Sequence, residues 1–500
     1  MKKINKCRGL LLVVLILLTL LPVSELAADI EMGVDTPAFT VNTSTIGFAG
    51  QEWWVIGYNG TGAYTTPGDT EHATLLLKSS GNPYGNVKFN STGNSIYPGG
   101  ELHTVMTGIY TAIGAKEQAL ITARTIDNIW DGNGPYNNTG TLAGQYVWPL
   151  SLAEWSTLSL TVRGYGSWWW LRSPSAQPRA SVSNVTGVGT GYSNVDVTLD
   201  NDAARPALNL DLTSVLFTSA ATGGKSDAVA GSATLVATTV LSSAIKLTVL
   251  DSALTLNVAD TTPRAAVSGA TVEIAYTNAQ TGSNRSVSVL LCDAFGNPVY
   301  YGRPVDCTTT NTNGTASFMV PTGLAEGSYT IKIFNEEVNA DNYTDYASTP
   351  ISIPLTIDNT APVLSAGTVV RTNDAYAVVK FTSNEAGQYF FQIVGDDVGD
   401  PIIATTTPGT VCSTTEVTLN LTGLVAGGQD IWIYVKDAAG NVGKLKIDIP
   451  MVTPAGGTTP KSNVPKTGDN SNMYLWSVFA LISLLGIFIL RKKRSAANIK

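Results

Sequence analysis

Histidine and cysteine are scarce in this sequence, and so are patterns that predict catalysis. The 500 residues include two histidines and four cysteines. His72 and His103 have no third ligand at a metal-site spacing, so they predict no zinc site. His103 is expected to be a structural residue beside an apolar helix face. The Gly-x-Ser-x-Gly motif of a serine nucleophile is also missing. We therefore assign no catalytic residue.

Positive charge is in deficit over most of the chain. Lysine and arginine total 30 against 38 aspartate and glutamate residues, which gives a net charge of −8. Both chain ends carry a basic excess, so the part between them is more acidic still. Because nucleic acids attract basic surfaces, this balance argues against a nucleic-acid partner.

The amino-terminal end has the organisation of a secretory signal peptide. A basic segment precedes an apolar run at 10–21, and small residues follow at Ala27 and Ala28. We predict a signal peptide at 1–27, with cleavage after Ala27 or Ala28. The protein is therefore expected to be secreted.

Three cysteines lie beyond this segment, namely Cys292, Cys307 and Cys412. An odd number leaves at least one of them without an intramolecular partner. A disulfide between Cys292 and Cys307 is one alternative. Buried free thiols are the other, and we favour them because an unpaired cysteine behaves as a small apolar side chain.

An uncharged apolar run of 18 residues lies at 473–490, and a basic tail follows at 491–494. As a helix the run would span about 27 Å, close to the ~30 Å core of a bilayer. Basic residues remain in the cytoplasm, so the preceding chain is expected to lie outside the cell. The sequence thus predicts a carboxyl-terminal transmembrane helix.

Five residues just before this run resemble the LPxTG cell-wall sorting signal of Gram-positive surface proteins: Val464, Pro465, Lys466, Thr467 and Gly468. The departure is Val464 in place of leucine. The resemblance implies that sortase cleaves after Thr467 and transfers the chain to a peptidoglycan amine. Residues 464–500 would then be a sorting signal, and the protein would be covalently attached to the cell wall. Its membrane contact would be limited to the span before processing.

Changes in composition divide the chain between its two ends. We predict an α+β domain at 29–221, a linker at 222–244 and a β-sandwich at 245–358. An immunoglobulin-like β-sandwich at 359–452 and a polar linker at 453–463 follow. The first domain contains eight of the ten tryptophans. Apolar residues at helical spacing predict a helix over 101–113. Ser151 and Glu154 have the spacing of a capping box and predict the start of another helix.

The second and third domains have the alternation and turn signals of short strands. Strands are predicted in the second domain at 246–249, 254–258, 271–276, 286–291, 316–320 and 328–334. Strands are predicted in the third at 378–382, 387–394, 417–421, 431–436 and 444–449. The sequence DNTAP at 358–362 resembles the entry of bacterial immunoglobulin-like repeats, and DAAGN at 437–441 resembles the turn before their last strand.

Four motifs follow one another in the first domain: EWWVIGYNG, VWPLSLAEW, WWWLRSP and RPALNL. They resemble a domain of unassigned function that is common in surface proteins of anaerobic Gram-positive bacteria, over about 29–225. More distantly, the first domain resembles the C-type-lectin-like fold, including its formylglycine-generating-enzyme branch. The lack of cysteine in this domain argues against the oxidase chemistry of that branch.

These motifs contain the candidate ligand-binding or core residues Trp168, Trp169, Trp170, Arg172 and Arg205. Exposed aromatic rings bind ligands, but successive side chains on a strand face opposite ways, so one face is expected to be core. We expect core positions for most of the five and structural roles for both arginines. Ligand binding is the alternative.

Three clusters of oxygen donors could bind calcium: 131–134, 200–202 and 396–397. None has the spacing of an EF-hand loop. Asp, Asn and Gly are also the ordinary residues of turns, and we favour turns. We assign no cofactor.

The function we infer from this organisation is that of a wall-anchored adhesin. Its first domain would bind a glycan or a protein, displayed on a stalk of β-sandwiches. One alternative is a surface enzyme that uses a carboxylate pair to cleave polysaccharide. The other is a structural subunit of pilus type.

Overall fold

The computed structural model describes residues 30–33, 38–78, 81–127, 140–184, 191–406 and 408–452. Strands dominate these ranges, and the helices are few and mostly short. None of the helices within the described ranges has the length and apolar character needed to cross a membrane. The predicted span and the sorting signal lie outside the described residues.

The first unit, residues 30–227, combines fifteen strands with all four α-helices found in the described ranges. The strands are β1 Ile30–Gly33, β2 Thr45–Phe48, β3 Gln51–Tyr58, β4 Thr61–Gly62, β5 His72–Leu77, β6 Asn86–Val87, β7 Arg124–Asp127, β8 Thr141–Gln145, β9 Val147–Trp148, β10 Trp169–Pro174, β11 Arg179–Asn184, β12 Gly191–Asp196, β13 Asp202–Ala203, β14 Ala207–Asp211 and β15 Val215–Ala220. The helices are α1 Glu101–Ala112, α2 Ala115–Gln118, α3 Leu152–Ser156 and α4 Leu160–Arg163, and a 3-10 helix follows at Gly224–Asp227.

The second unit, residues 236–357, consists of strands. They are β16 Val236–Val240, β17 Ile245–Leu250, β18 Arg264–Ala266, β19 Thr271–Tyr276, β20 Arg285–Cys292, β21 Pro298–Asp306, β22 Gly314–Met319, β23 Gly327–Glu337, β24 Asp345–Ala347 and β25 Ile351–Ile357.

The third unit, residues 364–449, is a sandwich of seven strands. They are β26 Leu364–Asn373, β27 Tyr376–Ser383, β28 Gly387–Gly395, β29 Thr410–Cys412, β30 Val417–Thr422, β31 Gln429–Lys436 and β32 Val442–Ile449. One sheet has the order β26-β27-β30 and the other β29-β28-β31-β32. Three strands facing four is the arrangement of immunoglobulin-like and fibronectin-III-like sandwiches.

The first two units share one 16-stranded sheet. Strand β17 pairs antiparallel with β15 and parallel with β2, with Ile245 opposite Ile46. Strand β16 pairs with β1 and with β21. The segment 222–244, predicted to be a linker, therefore contributes a strand and a 3-10 helix to the shared structure. Its Thr and Val side chains suit an extended conformation, and backbone pairing on both sides satisfies its polar groups.

The apolar cores connect the first two units and leave the third separate. One cluster fills the first unit and also takes in Leu247, Val249 and Tyr346 from the second. A smaller cluster lies at the junction of the two units and includes Met32, Phe217, Tyr301 and Phe334. The third unit has a separate core of its own. The first two units are thus joined through buried surface, whereas the third buries its apolar side chains internally.

Several sequence predictions are confirmed. A β-rich, multidomain architecture is observed, and 271–276 is a strand whose burial alternates along its length. The helix predicted over 101–113 is α1, and Ser151 and Glu154 form both hydrogen bonds of the capping box of α3. Cys292, Cys307 and Cys412 are free and buried. The strand predicted at 254–258 is wrong, since Asn257 makes only an isolated bridge to Thr277.

Candidate functional site

The tryptophan cluster predicted from sequence belongs mainly to the core. Strand β10 is the middle strand of a five-stranded sheet, and both faces of that sheet are covered. Trp169 and Trp170 are fully buried, whereas Trp168, just before the strand, is 38 % exposed. The indole N–H of Trp170 donates to the carbonyl of Val87 at 2.7 Å. Trp169 and Trp170 therefore present no ring to a ligand.

Arg172 is fully buried and ties β10 to helix α3. Its guanidinium donates to both carboxylate oxygens of Glu154, at 2.5 and 2.6 Å, and to the Tyr64 hydroxyl at 2.7 Å. Burial opposes the charged form, but Glu154 outweighs it and raises the pKa of Arg172. Because Glu154 also closes the capping box with Ser151, the ion pair fixes the orientation of the helix.

Arg205 is also fully buried, but its surroundings are aromatic rather than acidic. It donates to the carbonyls of Leu77 and Val162, each at 2.8 Å. The guanidinium lies 4.7 Å from the ring centre of Tyr165 and 4.8 Å from that of Trp169. Burial lowers the pKa of Arg205 to about 9. Both predicted arginines thus have structural roles.

A groove of about 610 Å³ lies between the first and second units, where the shared sheet passes from one to the other. Its volume is in the range of small-molecule sites. The residues that line it are Gly33, Ala38, Thr43–Thr45, Glu52, Trp54, Lys78, Thr218 and residues 241–245. Hydroxyl groups are frequent among these residues.

Strand β3 places the two most distinctive side chains in the groove. Residues two apart on a strand share a face, so Glu52 and Trp54 both point into the groove while Trp53 points the other way. Trp53 is fully buried and donates its indole N–H to the carbonyl of Phe48 at 2.9 Å. Lys78 forms an ion pair with Glu52, and its ammonium lies 4.7 Å from the ring centre of Trp54.

The floor of the groove contains a buried hydroxyl. Thr218 is fully buried, and its Oγ1 has no hydrogen-bond partner among the described residues. A Cβ at position 33 would lie 2.6 Å from this oxygen, so Gly33 is the residue that leaves room for it. The hydroxyl lies beneath the surface of the groove, next to the small Gly33.

Sequence reasoning did not find this groove. The motif EWWVIGYNG was recognised, but its Trp54 was not distinguished from the buried Trp53. The residues that complete the groove are distant in sequence, since Lys78 directly follows β5 and Thr218 lies in β15. The available signal was the alternation of Glu52, Trp53 and Trp54 along one strand.

Two groups of three carboxylates have oxygens within 4.8 Å of one another: Asp396, Asp430 and Asp448, and Asp358, Glu385 and Asp437. In the first group Lys446 lies 2.8 Å from Asp430, which also accepts the Asp397 N–H. In the second, Asp437 accepts the backbone N–H groups of Gly440 and Asn441 and holds the predicted turn. These contacts hold Asp430 and Asp437 in place, and calcium stays the untested alternative to the turns favoured from sequence. Residues 131–134 lie outside the described ranges.

The two histidines lie apart. His72 is 3.1 Å from Asp69 through Nδ1. His103 lies on α1 with its ring 5.2 Å from that of Tyr97, and burial lowers its pKa. The sorting residues Val464, Pro465, Lys466, Thr467 and Gly468 are outside the described residues.

The fold and the groove define a multidomain β protein with an immunoglobulin-like or fibronectin-III-like third unit and an open site at the junction of its first two units. Residues 71–212 match the sequence model of a family described as a domain of unknown function, DUF6273. This match lies within the segment 29–225 that resembled a surface-protein domain. Of the residues that line the groove, only Lys78 falls inside it. No curated protein matches the chain.

Solved structures with some similarity are modular β proteins. Fibronectin(III)-like modules of CbhA from Clostridium thermocellum are 13 % identical, with 42 % of this chain and 100 % of that chain covered and a TM-score of 0.23. The FN1–FN3 domains of chicken CNTN1 are 13 % identical, with 55 % and 95 % covered and a TM-score of 0.26. The adhesin InvE of Yersinia pseudotuberculosis is 12 % identical, with 39 % and 58 % covered and a TM-score of 0.16. Because these scores are low, the fold assignment of the third unit rests on its strand order.

Proposed function

We propose that the protein is a wall-anchored surface protein that binds a carbohydrate in the groove around Trp54. The observation that carries the proposal is the combination of an aromatic ring, a charged donor–acceptor pair and several hydroxyl side chains in one open groove. The predicted signal peptide and the sortase signal support an extracellular location. The third unit would serve as part of a stalk between the groove and the wall.

The chemistry of the groove suits a sugar. A pyranose has an apolar C–H face and a rim of hydroxyls, each of which both donates and accepts hydrogen bonds. Trp54 offers an apolar surface with an indole N–H at its edge. Glu52 can accept from one sugar hydroxyl while Lys78 donates to its neighbour. Thr43 and Ser44 add further hydroxyl groups to the lining.

Binding fits the groove better than turnover does. Glycoside hydrolysis uses two carboxyl groups on opposite sides of the scissile bond. Among the described residues that line the groove, Glu52 is the one carboxylate, and it is paired with Lys78. A polysaccharide-cleaving enzyme, the alternative inferred from sequence, finds no second carboxylate in this lining.

The test uses the predicted mature chain, residues 29–467. It is screened against a panel of bacterial and host glycans, and the affinity for the best ligand is then measured by titration calorimetry. Trp54→Ala is expected to weaken binding by about tenfold or more, because loss of an aromatic anchor at the centre of a site costs about 2 kcal/mol.

Trp168→Ala is the matched control. It removes a partly exposed tryptophan of the same unit that does not line the groove, so its affinity should equal that of the parent. Circular dichroism checks that both variants are folded. Equal loss of affinity in the two variants would place the ligand elsewhere. Binding to matrix proteins but to no glycan would replace the carbohydrate with a protein ligand.

A further inference from the structure

A group of charged side chains is completely buried at the junction of the first two units. It consists of Lys225, Lys246, Glu336 and Asp345, each at most 3 % exposed. Two positive and two negative groups balance each other. Burying four charges is expensive even when they are paired, and a pair of this kind often adds little stability over apolar residues. The function proposed for the groove makes no use of this group.

Lys225 contacts both carboxylates. Its ammonium forms ion pairs with Glu336 and, at 2.9 Å, with Oδ2 of Asp345. It also donates to the Thr248 hydroxyl at 2.5 Å. Oδ2 of Asp345 accepts no well-aligned hydrogen bond despite this short distance. The nitrogen of Lys225 is therefore held beside a carboxyl oxygen that is otherwise without a partner.

The other oxygen of Asp345 is firmly held. Oδ1 accepts the backbone N–H of Asn339 at 2.7 Å and lies 2.8 Å from the ammonium of Lys246. Lys246 is itself fixed by donating to the carbonyl of Asn339 at 2.6 Å. An N–H group and an ammonium on one oxygen are the arrangement that stabilises negative charge when a carboxyl carbon is attacked.

The surroundings exclude water. The ammonium of Lys225 lies 4.9 Å from the ring centre of Phe217, and the hydroxyl of the buried Tyr301 donates to Glu336 at 2.6 Å. Burial alone would lower the pKa of Lys225, but Asp345 and Glu336 outweigh it and raise the pKa. The resting state is thus an ion pair in a dry site, where neutralising opposite charges together removes a large desolvation cost.

We propose that Lys225 and Asp345 condense into an intramolecular amide bond, with Glu336 as the proton carrier. The Lys225 ammonium passes one proton to Oδ2 of Asp345, and the free amine attacks Cγ of the neutral carboxyl group. Glu336 then takes a second proton from the nitrogen. Oδ1 carries the developing negative charge beside Lys246 and Asn339 and becomes the amide oxygen. The C–Oδ2 bond breaks, and Oδ2 leaves as water with its first proton and the proton held by Glu336.

The step balances in atoms and charge. An ammonium and a carboxylate become a neutral amide and one water, and no oxidant or reductant is needed. Lys246 and Glu336 remain as one cation and one anion. Lys225 is the nucleophile rather than Lys246, because only Lys225 contacts both Asp345 and the carboxylate that can accept its proton.

The bond would join the 3-10 helix to strand β24. Because Lys225 precedes the strands of the second unit and Asp345 begins one of its last, the cross-link would enclose most of that unit. Such a closure stabilises a folded chain by restricting its unfolded state, as a disulfide does. It would do so without cysteine chemistry.

Peptide mass spectrometry tests the proposal on the predicted mature chain, residues 29–467. After proteolysis, the peptide with Lys225 should be recovered joined to the peptide with Asp345, lighter by one water than the two together. Fragmentation locates the joined residues. Recovery of both peptides in linear form, or a cross-link at Lys246 instead, would overturn the proposal, and this measurement needs no variant to fold.

Three variants assign the roles. Lys225→Arg and Glu336→Gln should each abolish the cross-linked peptide. Lys116→Gln is the matched control, since Lys116 forms ion pairs with Asp251 and Glu337 at the same junction but is exposed, and its cross-link should match the parent's. Circular dichroism confirms folding of each variant. A cross-link that persists in folded Glu336→Gln would contradict the role of Glu336 as proton carrier.

Discussion

Buried charges in the first unit differ in what neutralises them. Arg172 has the carboxylate of Glu154, and Arg205 has carbonyls and two aromatic rings. Asp202 has neither. Its side chain is buried in β13, and its Oδ2 has no partner among the described residues. A carboxyl group in that position is more stable with a proton than without one.

This burial predicts a pH dependence of stability. Desolvation raises the pKa of Asp202 from 3.8 to about 6. Between these values the folded state binds more protons than the unfolded state, so the free energy of unfolding falls as pH rises from about 4 to 6. The loss should be about 3 kcal/mol, with stability fully retained below pH 4. Urea unfolding, monitored by tryptophan fluorescence at each pH, measures this loss of free energy.

Asp202→Asn should flatten this profile and raise the free energy of unfolding at pH 7 by about 1–3 kcal/mol, because the amide is neutral at every pH. The control is Asp200→Asn, two residues earlier and exposed to solvent. It should retain the slope of the parent. The same slope in Asp202→Asn would assign the pH dependence to another group.

Residue roles were predictable where they follow from local geometry. Ser151 and Glu154 were recognised as a capping box from their spacing alone. Core positions were expected for most of the tryptophan cluster, but alternation places only one face in the core, and Trp169 and Trp170 are both buried because β10 is covered on both sides. The partners of Arg172 and Arg205 were not predictable. They depend on which chain segments approach each other, as does the location of Trp54 in a groove.

Elements were predictable where one face meets solvent. In β19 exposed and buried residues alternate, and the strand was predicted from that pattern. Strand β25 alternates in the same way but was not predicted. Strand β21 was missed because its middle residues, including Tyr301, are buried in succession. Strand β24 has only three residues and no period to detect. The segment 222–244 has the polar composition of a linker, and only its pairing with β1 and β21 reveals β16 as part of a sheet.

The shared sheet predicts where the chain can be divided. A fragment 29–224 lacks β16 and β17, so β1, β2 and β15 would lose strand partners and expose unpaired backbone groups. We expect this fragment to be unfolded or aggregated. Fragments 29–358 and 359–452 retain their own cores and should fold. Circular dichroism and resistance to proteolysis distinguish these outcomes.

The fragment 359–452 is the control for fragment length. It is the shortest of the three and should still melt cooperatively, so a small size alone would not explain unfolding of 29–224. Cooperative unfolding of 29–224, with the near-ultraviolet signal of its buried tryptophans intact, would contradict the view that the first unit depends on the second.

At the scale of the whole molecule, the described units form one large joined body and one smaller sandwich. The link between them is short and hydrogen-bonded, since the amide of Asn441 donates to the carbonyl of Asp358 at 2.9 Å. Such a contact limits bending between the two. The groove lies in the larger body, on the far side of the third unit along the chain from the predicted sorting signal, which suits presentation of a ligand site away from an anchored end.

The final prediction concerns the predicted sorting signal at 464–500. If sortase cleaves after Thr467, the apolar run 473–490 is only a temporary span, and the mature chain is recovered from the cell wall by muramidase. Thr467→Ala removes the residue whose carbonyl is attacked. The uncleaved chain would keep its 18 apolar residues in the bilayer and its basic tail in the cytoplasm, and detergent should extract it with the membrane fraction. Immunoblots of wall and membrane fractions measure the shift.

Thr459→Ala, a substitution of the same type in the polar linker, is the control and should leave the protein in the wall fraction. An equal wall fraction for Thr467→Ala would show that another residue is the acceptor of attack, and a parent chain extracted by detergent would show that the span is permanent. In the second case the basic tail at 491–494 would still orient the chain, because charge and not cleavage determines which side of the membrane the two units occupy. The groove would then face the same environment, at a distance from the membrane rather than from the wall.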